Sequence, residues 1–144
     1  MDKRRDAGFT IVELLIVIVV IAVLASITVV AYNGVQARAK DAERTSDMQA
    51  VAKKLELFYV DNGYYPGFSQ FNTAAWRQTN LPGLSDSALT PPGMSAVSLA
   101  NTATPASSSQ YAYRNGVICT QCAKFYLHWR SDVDGAIKTI SSLN

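Results

Sequence analysis

Phe9-Thr10-Ile11-Val12-Glu13-Leu14-Leu15-Ile16-Val17-Ile18-Val19-Val20-Ile21-Ala22-Val23-Leu24-Ala25 decides the fold. The apolar character carries on through Ser26, Ile27, Thr28 and Val29 to Tyr32, and the whole stretch holds one ionisable side chain, Glu13. As a helix, residues 9–32 measure about 36 Å, enough to cross a hydrocarbon core of about 30 Å. Val23-x-Ala25 has the form of a signal-peptidase site. The apolar run continues well past it, however, and Glu13 is out of place in a signal-peptide core. The segment reads as a retained membrane helix.

Upstream lies Met1 to Gly8, where Lys3, Arg4 and Arg5 stand against Asp2 and Asp6. Arg38, Lys40 and Arg44 follow the span, so the basic residues on its two sides are tied in number. The tight cluster before it places the N-terminus in the cytoplasm. Downstream, Met48, Val51, Ala52, Leu55, Phe58 and Tyr59 recur at spacings of three and four and form one apolar stripe. Arg38, Lys40, Asp41, Glu43, Arg44, Asp47, Lys53, Lys54 and Glu56 are expected to form a solvated face. No proline precedes Pro66, so one continuous helix of about 52 residues, roughly 78 Å, is allowed. Asn33-Gly34 is its one local weakness, and Asp61-Asn62-Gly63 supplies a stop.

Residues 63–110 are rich in Ser, Thr, Asn, Pro and Gly and read as a long surface connection, with one helical turn near Ala74 to Arg77. Strand patterns follow. Tyr111–Arg114 leads into Asn115-Gly116, a hairpin signal, with Val117–Cys119 as the second arm. Lys124–Arg130 alternates Phe125, Leu127 and Trp129 on one face with Tyr126, His128 and Arg130 on the other. Asp134-Gly135 turns the chain into Ala136–Ile140. The expected fold class is α+β: a long N-terminal helix, half transmembrane and half amphipathic, laid on a small antiparallel sheet. The expected segments are 1–8, 9–32, 33–62, 63–110 and 111–144.

Composition narrows the chemistry. Of 144 residues, 49% are hydrophobic and 17% charged, which argues against a disordered chain. A formal net charge of +2 carries no polyelectrolyte signature, so a dedicated nucleic-acid binder is disfavoured. One histidine cannot serve a Ser/His/Asp arrangement that the sequence otherwise lacks. Cys119-Thr120-Gln121-Cys122 has the spacing of a thiol-disulfide oxidoreductase motif, but that chemistry needs its first thiolate at a helix N-terminus. Here the motif follows a hairpin signal, and outside the cytoplasm it reads as a small structural disulfide loop. With His128, expected to be an exposed strand residue, the cysteines make only three zinc ligands at poor spacing. No catalytic residue, metal or cofactor is assigned.

Gly8-Phe9-Thr10-Ile11-Val12-Glu13, followed by Leu14 to Val20, closely resembles the processing and assembly segment of type IV prepilins. The resemblance covers about the first 60 residues, and Asp61-Asn62-Gly63-Tyr64-Tyr65-Pro66 is similar to the end of the long helix in pilins and major pseudopilins. It implies a leader, Met1 to Gly8, cut between Gly8 and Phe9 by a prepilin peptidase that also N-methylates Phe9. It also implies a pairing of Glu13 with the Phe9 amine of a neighbouring subunit. An isolated carboxylate in a span costs about 2.5–3.5 kcal/mol on insertion scales, so a partner from another chain is the economical answer. The implied function is a structural subunit of a type IV pilus or pilus-like filament, a homopolymer drawn from the cytoplasmic membrane by an assembly machine and displayed at the cell surface. Two alternatives stand beside it: a pseudopilin of a type II secretion or DNA-uptake system, and a singly acting membrane-anchored binding module. Contacts with membrane lipid before assembly follow from the span, whereas contacts with DNA or surfaces are not readable. Some related pseudopilins hold calcium, and Asp132 and Asp134 are the residues to consider for it. No full set of oxygen ligands is legible there, and a turn is the expected role.

Overall fold

In the computed structural model, which describes residues 9–115 and 119–143, helix α1 runs from Ile11 to Asn62 without a break. Small strands and short helices follow it, giving an α+β, pilin-like architecture. The helix ends where the sequence says it should. Gly63 takes a left-handed φ of 76° and its N–H donates to the Tyr59 carbonyl at 2.7 Å, while the Asn62 amide donates to the Phe58 carbonyl.

The chain divides into two compact units, residues 1–36 and 37–144. In the first, the described residues are one helical rod whose apolar side chains have no cover. Leu15, Val19 and Leu24 are 54, 52 and 58% exposed. Its hydroxyls are satisfied internally, as lipid requires: Ser26 Oγ donates to the Val23 carbonyl at 2.7 Å and Thr28 Oγ1 to the Ala25 carbonyl at 2.9 Å. The helix passes through Asn33-Gly34 without interruption.

In the second unit the amphipathic half of α1 meets a sheet. Strands β1 (Tyr65–Pro66), β2 (Leu99–Ala100), β3 (Tyr111–Arg114), β4 (Gln121–Cys122), β5 (Tyr126–Arg130) and β6 (Ile137–Ser141) form two sheets. The larger has the order β2-β3-β5-β6, and β1 pairs with β4. The β3–β5 and β5–β6 pairs are antiparallel, with Tyr111 opposite Trp129 and Trp129 opposite Lys138, and the short β2 joins β3 in parallel. Met48, Val51, Leu55 and Phe58 of α1 are buried with Tyr111, Tyr113, Phe125, Leu127 and Trp129. The helical period of three and four and the strand period of two thus meet in one core. Gly135, at a φ of 69°, makes the turn into β6.

Two expectations are corrected here, and a third, the hairpin at Asn115-Gly116 with Val117–Cys119 as its second arm, falls on Gly116 to Ile118, which lie outside the described residues; Cys119 is not in a strand. Residues 63–110 are not only a surface connection. They form α2 (Phe68–Asn72), α3 (Ala74–Asn80) and a 3-10 turn at Asp86–Leu89, and Phe71, Leu81 and Leu89 are fully or almost fully buried. Arg77 holds this segment in place by donating to the Asp86 carboxylate and to the Phe71 carbonyl. His128 is buried rather than exposed, because the β6 strand lies beside it and Thr139 Oγ1 sits 2.8 Å from its Nδ1.

Candidate functional site

Phe9 and Glu13, the expected processing and assembly residues, lie at the start of α1. Phe9 is 90% exposed. Thr10 and Glu13 embrace across the first turn: the Thr10 N–H and hydroxyl donate to Glu13 Oε2 at 2.8 and 2.9 Å, and the Glu13 N–H donates to Thr10 Oγ1 at 3.2 Å. This is a capping box, in which a threonine and a glutamate three residues on satisfy each other's backbone donors. Thr10-Ile11-Val12-Glu13 is the sequence signature of that motif. Among the described residues Glu13 makes no ion pair, so its charge is solvated by Thr10 but not neutralised. Gly8, one side of the expected cleavage site, lies outside the described residues together with the rest of residues 1–8.

Cys119 and Cys122 are joined to each other. Cys122 belongs to β4, and the small ring packs tightly on Gly67, where a Cβ would run into the Cys119 carbonyl. Cys119 does not start a helix, so the helix N-terminus that lowers a catalytic thiol's pKa is not supplied to it. His128 stacks beside Tyr126 and faces Thr139.

The charged face of α1 departs from a uniformly solvated surface. Arg44 is 1% exposed and Asp41 8%. Arg44 Nη1 donates to Asp41 Oδ1 and Nη2 to Asp132 Oδ2, each at 2.8 Å, and Nε donates to the Ser108 carbonyl at 3.2 Å. Asp41 in turn accepts from Ser131 Oγ at 2.5 Å, from the Asp132 N–H at 2.9 Å and from the Val133 N–H at 3.4 Å. The turn after β5 therefore folds down onto the helix, which is why these charges are buried. Burial alone would push the Asp41 carboxyl up, but the bonds from Ser131, Asp132, Arg44 and Val133 outweigh it and hold it below the usual carboxylate range. Asp132 is lowered as well, by the Ser108 hydroxyl first and by Arg44 against the opposing cost of burial. Farther along, Glu56 accepts from Tyr65 Oη at 2.8 Å and from the Leu143 N–H at 3.0 Å, and Lys54 donates to the Pro82 carbonyl. Asp47 accepts from Tyr111 Oη. Asp134, the other residue considered for calcium, caps the Ala136 N–H. Among the described residues no three His, Cys, Asp or Glu side chains are placed to hold a metal ion.

The family described as "Prokaryotic N-terminal methylation motif" matches residues 3–29. The chain is 37% identical over 70 residues to the type II secretion system core protein G of Aeromonas hydrophila, a match covering 49% of each chain. It is 37% identical over 80 residues to the protein of the same name from Dickeya chrysanthemi, covering 56% of this chain and 52% of that one. The match to the Escherichia coli K12 protein of that name is 36% over 83 residues, covering 58% and 56%. The chain thus spans about half the length of the curated relatives it matches. No solved structure matches it. Residues 3–29 thus match a methylation-motif family, and the resemblance expected from Gly8 to Glu13 is accompanied by similarity to core protein G over about half of the chain.

Proposed function

We propose that this chain is a structural subunit of a pilus-like filament, built from the cytoplasmic membrane through residues 9–32. The observation that carries this reading is the pairing of a methylation motif at residues 3–29 with a helix whose large apolar side chains are at least half exposed from Ile11 to Leu24. Such a surface is stable in lipid or against other copies of itself, and unstable in water. The names of the relatives favour the pseudopilin form, a short filament of a secretion system, over a long surface pilus.

The residues take these parts. A prepilin peptidase cuts between Gly8 and Phe9 and methylates the new Phe9 amine. Lipid holds the segment until an assembly machine in the membrane draws it out. Glu13, solvated by Thr10 while it waits in the membrane, then meets the Phe9 amine of a neighbouring copy. A carboxylate and an ammonium attract strongly in a low-dielectric bundle, while their desolvation offsets much of the gain. The pair contributes register more than raw affinity. The Cys119–Cys122 ring and the sheet belong to the head, which in an assembled filament faces outward from the bundled helices.

The test compares Glu13→Val with the unmodified chain for membrane level, leader cleavage and filament yield. Membrane level and cleavage should be retained and filaments reduced at least tenfold, because insertion gains from losing a charge while docking loses its register. Filaments at the unmodified yield, with normal cleavage, would show that Glu13 is not the assembly contact. Intact mass of the filament form should give a chain beginning at a methylated Phe9. A chain beginning at Met1 or Ser26 would overturn the reading.

A further inference from the structure

We propose that Arg44 is a built-in cation that fastens the turn after β5 to helix α1 in place of a bound divalent metal, so that the head folds independently of calcium. The inference rests on the geometry of unit 37–144 and holds whether or not the chain forms filaments. Ser131-Asp132-Val133-Asp134, with acids alternating along a turn and a third acid, Asp41, beneath it, is the kind of segment that a calcium ion organises elsewhere. Here both oxygens of Asp41 and one each of Asp132 and Asp134 already accept hydrogen bonds from the protein. Asp41 Oδ1 accepts from Arg44 Nη1 and the Asp132 N–H, and Oδ2 accepts from Ser131 Oγ and the Val133 N–H. Asp132 Oδ2 is held by Arg44 Nη2, and Asp134 Oδ1 by the Ala136 N–H. Calcium takes six to eight oxygens with free lone pairs. A guanidinium instead offers a flat fork of donors, and Arg44 uses all three of its nitrogens on Asp41, Asp132 and Ser108. Arg44 is 1% exposed, so no water competes for those donors. Ser131, almost fully buried, completes the fastening through Asp41.

The experiment is thermal unfolding of the full chain in detergent micelles, in excess EGTA and in millimolar calcium, with calcium binding measured by titration calorimetry. The unmodified chain should unfold at the same midpoint in both, with no stoichiometric calcium heat. Arg44→Gln in EGTA should unfold on the order of 10 °C lower, the scale of breaking a buried ion pair in a domain of this size. In the cycle of Arg44→Gln with Asp132→Asn, the double variant should lose little more than Arg44→Gln alone, because both remove one interaction. A calcium-dependent rise of several degrees in the unmodified chain, or stoichiometric calcium binding, overturns the proposal, and this arm needs no variant to fold. Strictly additive losses in the cycle overturn it too, since a side chain that merely fills space would give that result.

Discussion

The two halves of α1 share a period and a backbone but bury different amounts of what they carry. From residue 37 onward, Met48, Val51 and Leu55 are wholly buried, and the polar positions between them reach partners on the head: Arg44 to Asp132, Asp47 to Tyr111, Glu56 to Tyr65. From Leu14 to Ala25 the helix is apolar on every side, and before residue 37 its described large apolar side chains are half exposed or more. An amphipathic stripe completes itself within one chain, whereas a helix hydrophobic all round is complete only inside something else. The first half leaves its apolar surface uncovered, and the second is part of the core of a domain.

The largest effect should separate the halves outright. Leu55→Ala removes a fully buried side chain from the helix–sheet core and should lower head stability by about 2–5 kcal/mol. Leu24→Ala, an equal truncation at an exposed position of the first half, should leave the head's unfolding midpoint where it was. Thermal melts of both variants in micelles check this, and a comparable fall for Leu24→Ala would break the comparison.

Acid should act on the second half alone. Asp41 and Asp132 have carboxyls held below the usual range, so the stability they contribute is complete above about pH 4 and is lost as pH falls through their lowered native values. Asp47 opposes them, since burial first raises its carboxyl against the bond from Tyr111. His128 is lowered by burial and then by Arg114, so the native state resists a proton that the unfolded chain accepts. Its contribution is full above about pH 6.5 and declines below it, earlier than that of the carboxylates. Melting midpoints between pH 7 and pH 3 should therefore fall in two steps, with His128→Gln removing the upper one. A midpoint that rises on acidification from pH 7 to pH 5 would contradict the assignment.

The smallest effect belongs to the first half. Thr10→Ala deletes the hydroxyl of the Thr10–Glu13 box and should cost about 1 kcal/mol at the start of α1. Amide exchange in micelles should quicken over Ile11 to Leu14 and stay unchanged from Met48 to Phe58. Faster exchange in the buried stripe would mean that the cap supports the whole helix.

Much of this division is legible from local pattern. The spacing of Met48, Val51, Leu55 and Phe58 foretells the buried stripe, Asn62-Gly63 and Asp134-Gly135 foretell two left-handed glycines, and the alternation of Phe125, Leu127 and Trp129 foretells the buried face beside β5. What escapes the sequence depends on contacts far apart in the chain. The partners of β3, Leu99–Ala100 and Tyr126–Arg130, are chosen by the whole sheet, and Asn115 turns its amide to the Pro66 carbonyl, 49 residues away. Arg44 looks like any solvated helix charge until Asp132, 88 residues away, is folded onto it. Arg77 looks equally ordinary among polar neighbours, although it carries the Asp86 ion pair. The Thr10–Glu13 cap, by contrast, is local and is carried by four consecutive residues.

The central claim is that residues 9–36 form a surface completed by other copies of the chain. A photo-crosslinking amino acid placed at Val19 or Leu24, with a control at Val133 on the head, tests it most directly in cells that carry the assembly machinery. Val19 and Leu24 should give ladders of dimers and higher multimers of this chain, dependent on Glu13, while Val133 gives few. Crosslinks from Val19 and Leu24 to lipid alone, with the chain remaining monomeric under assembling conditions, would contradict the account.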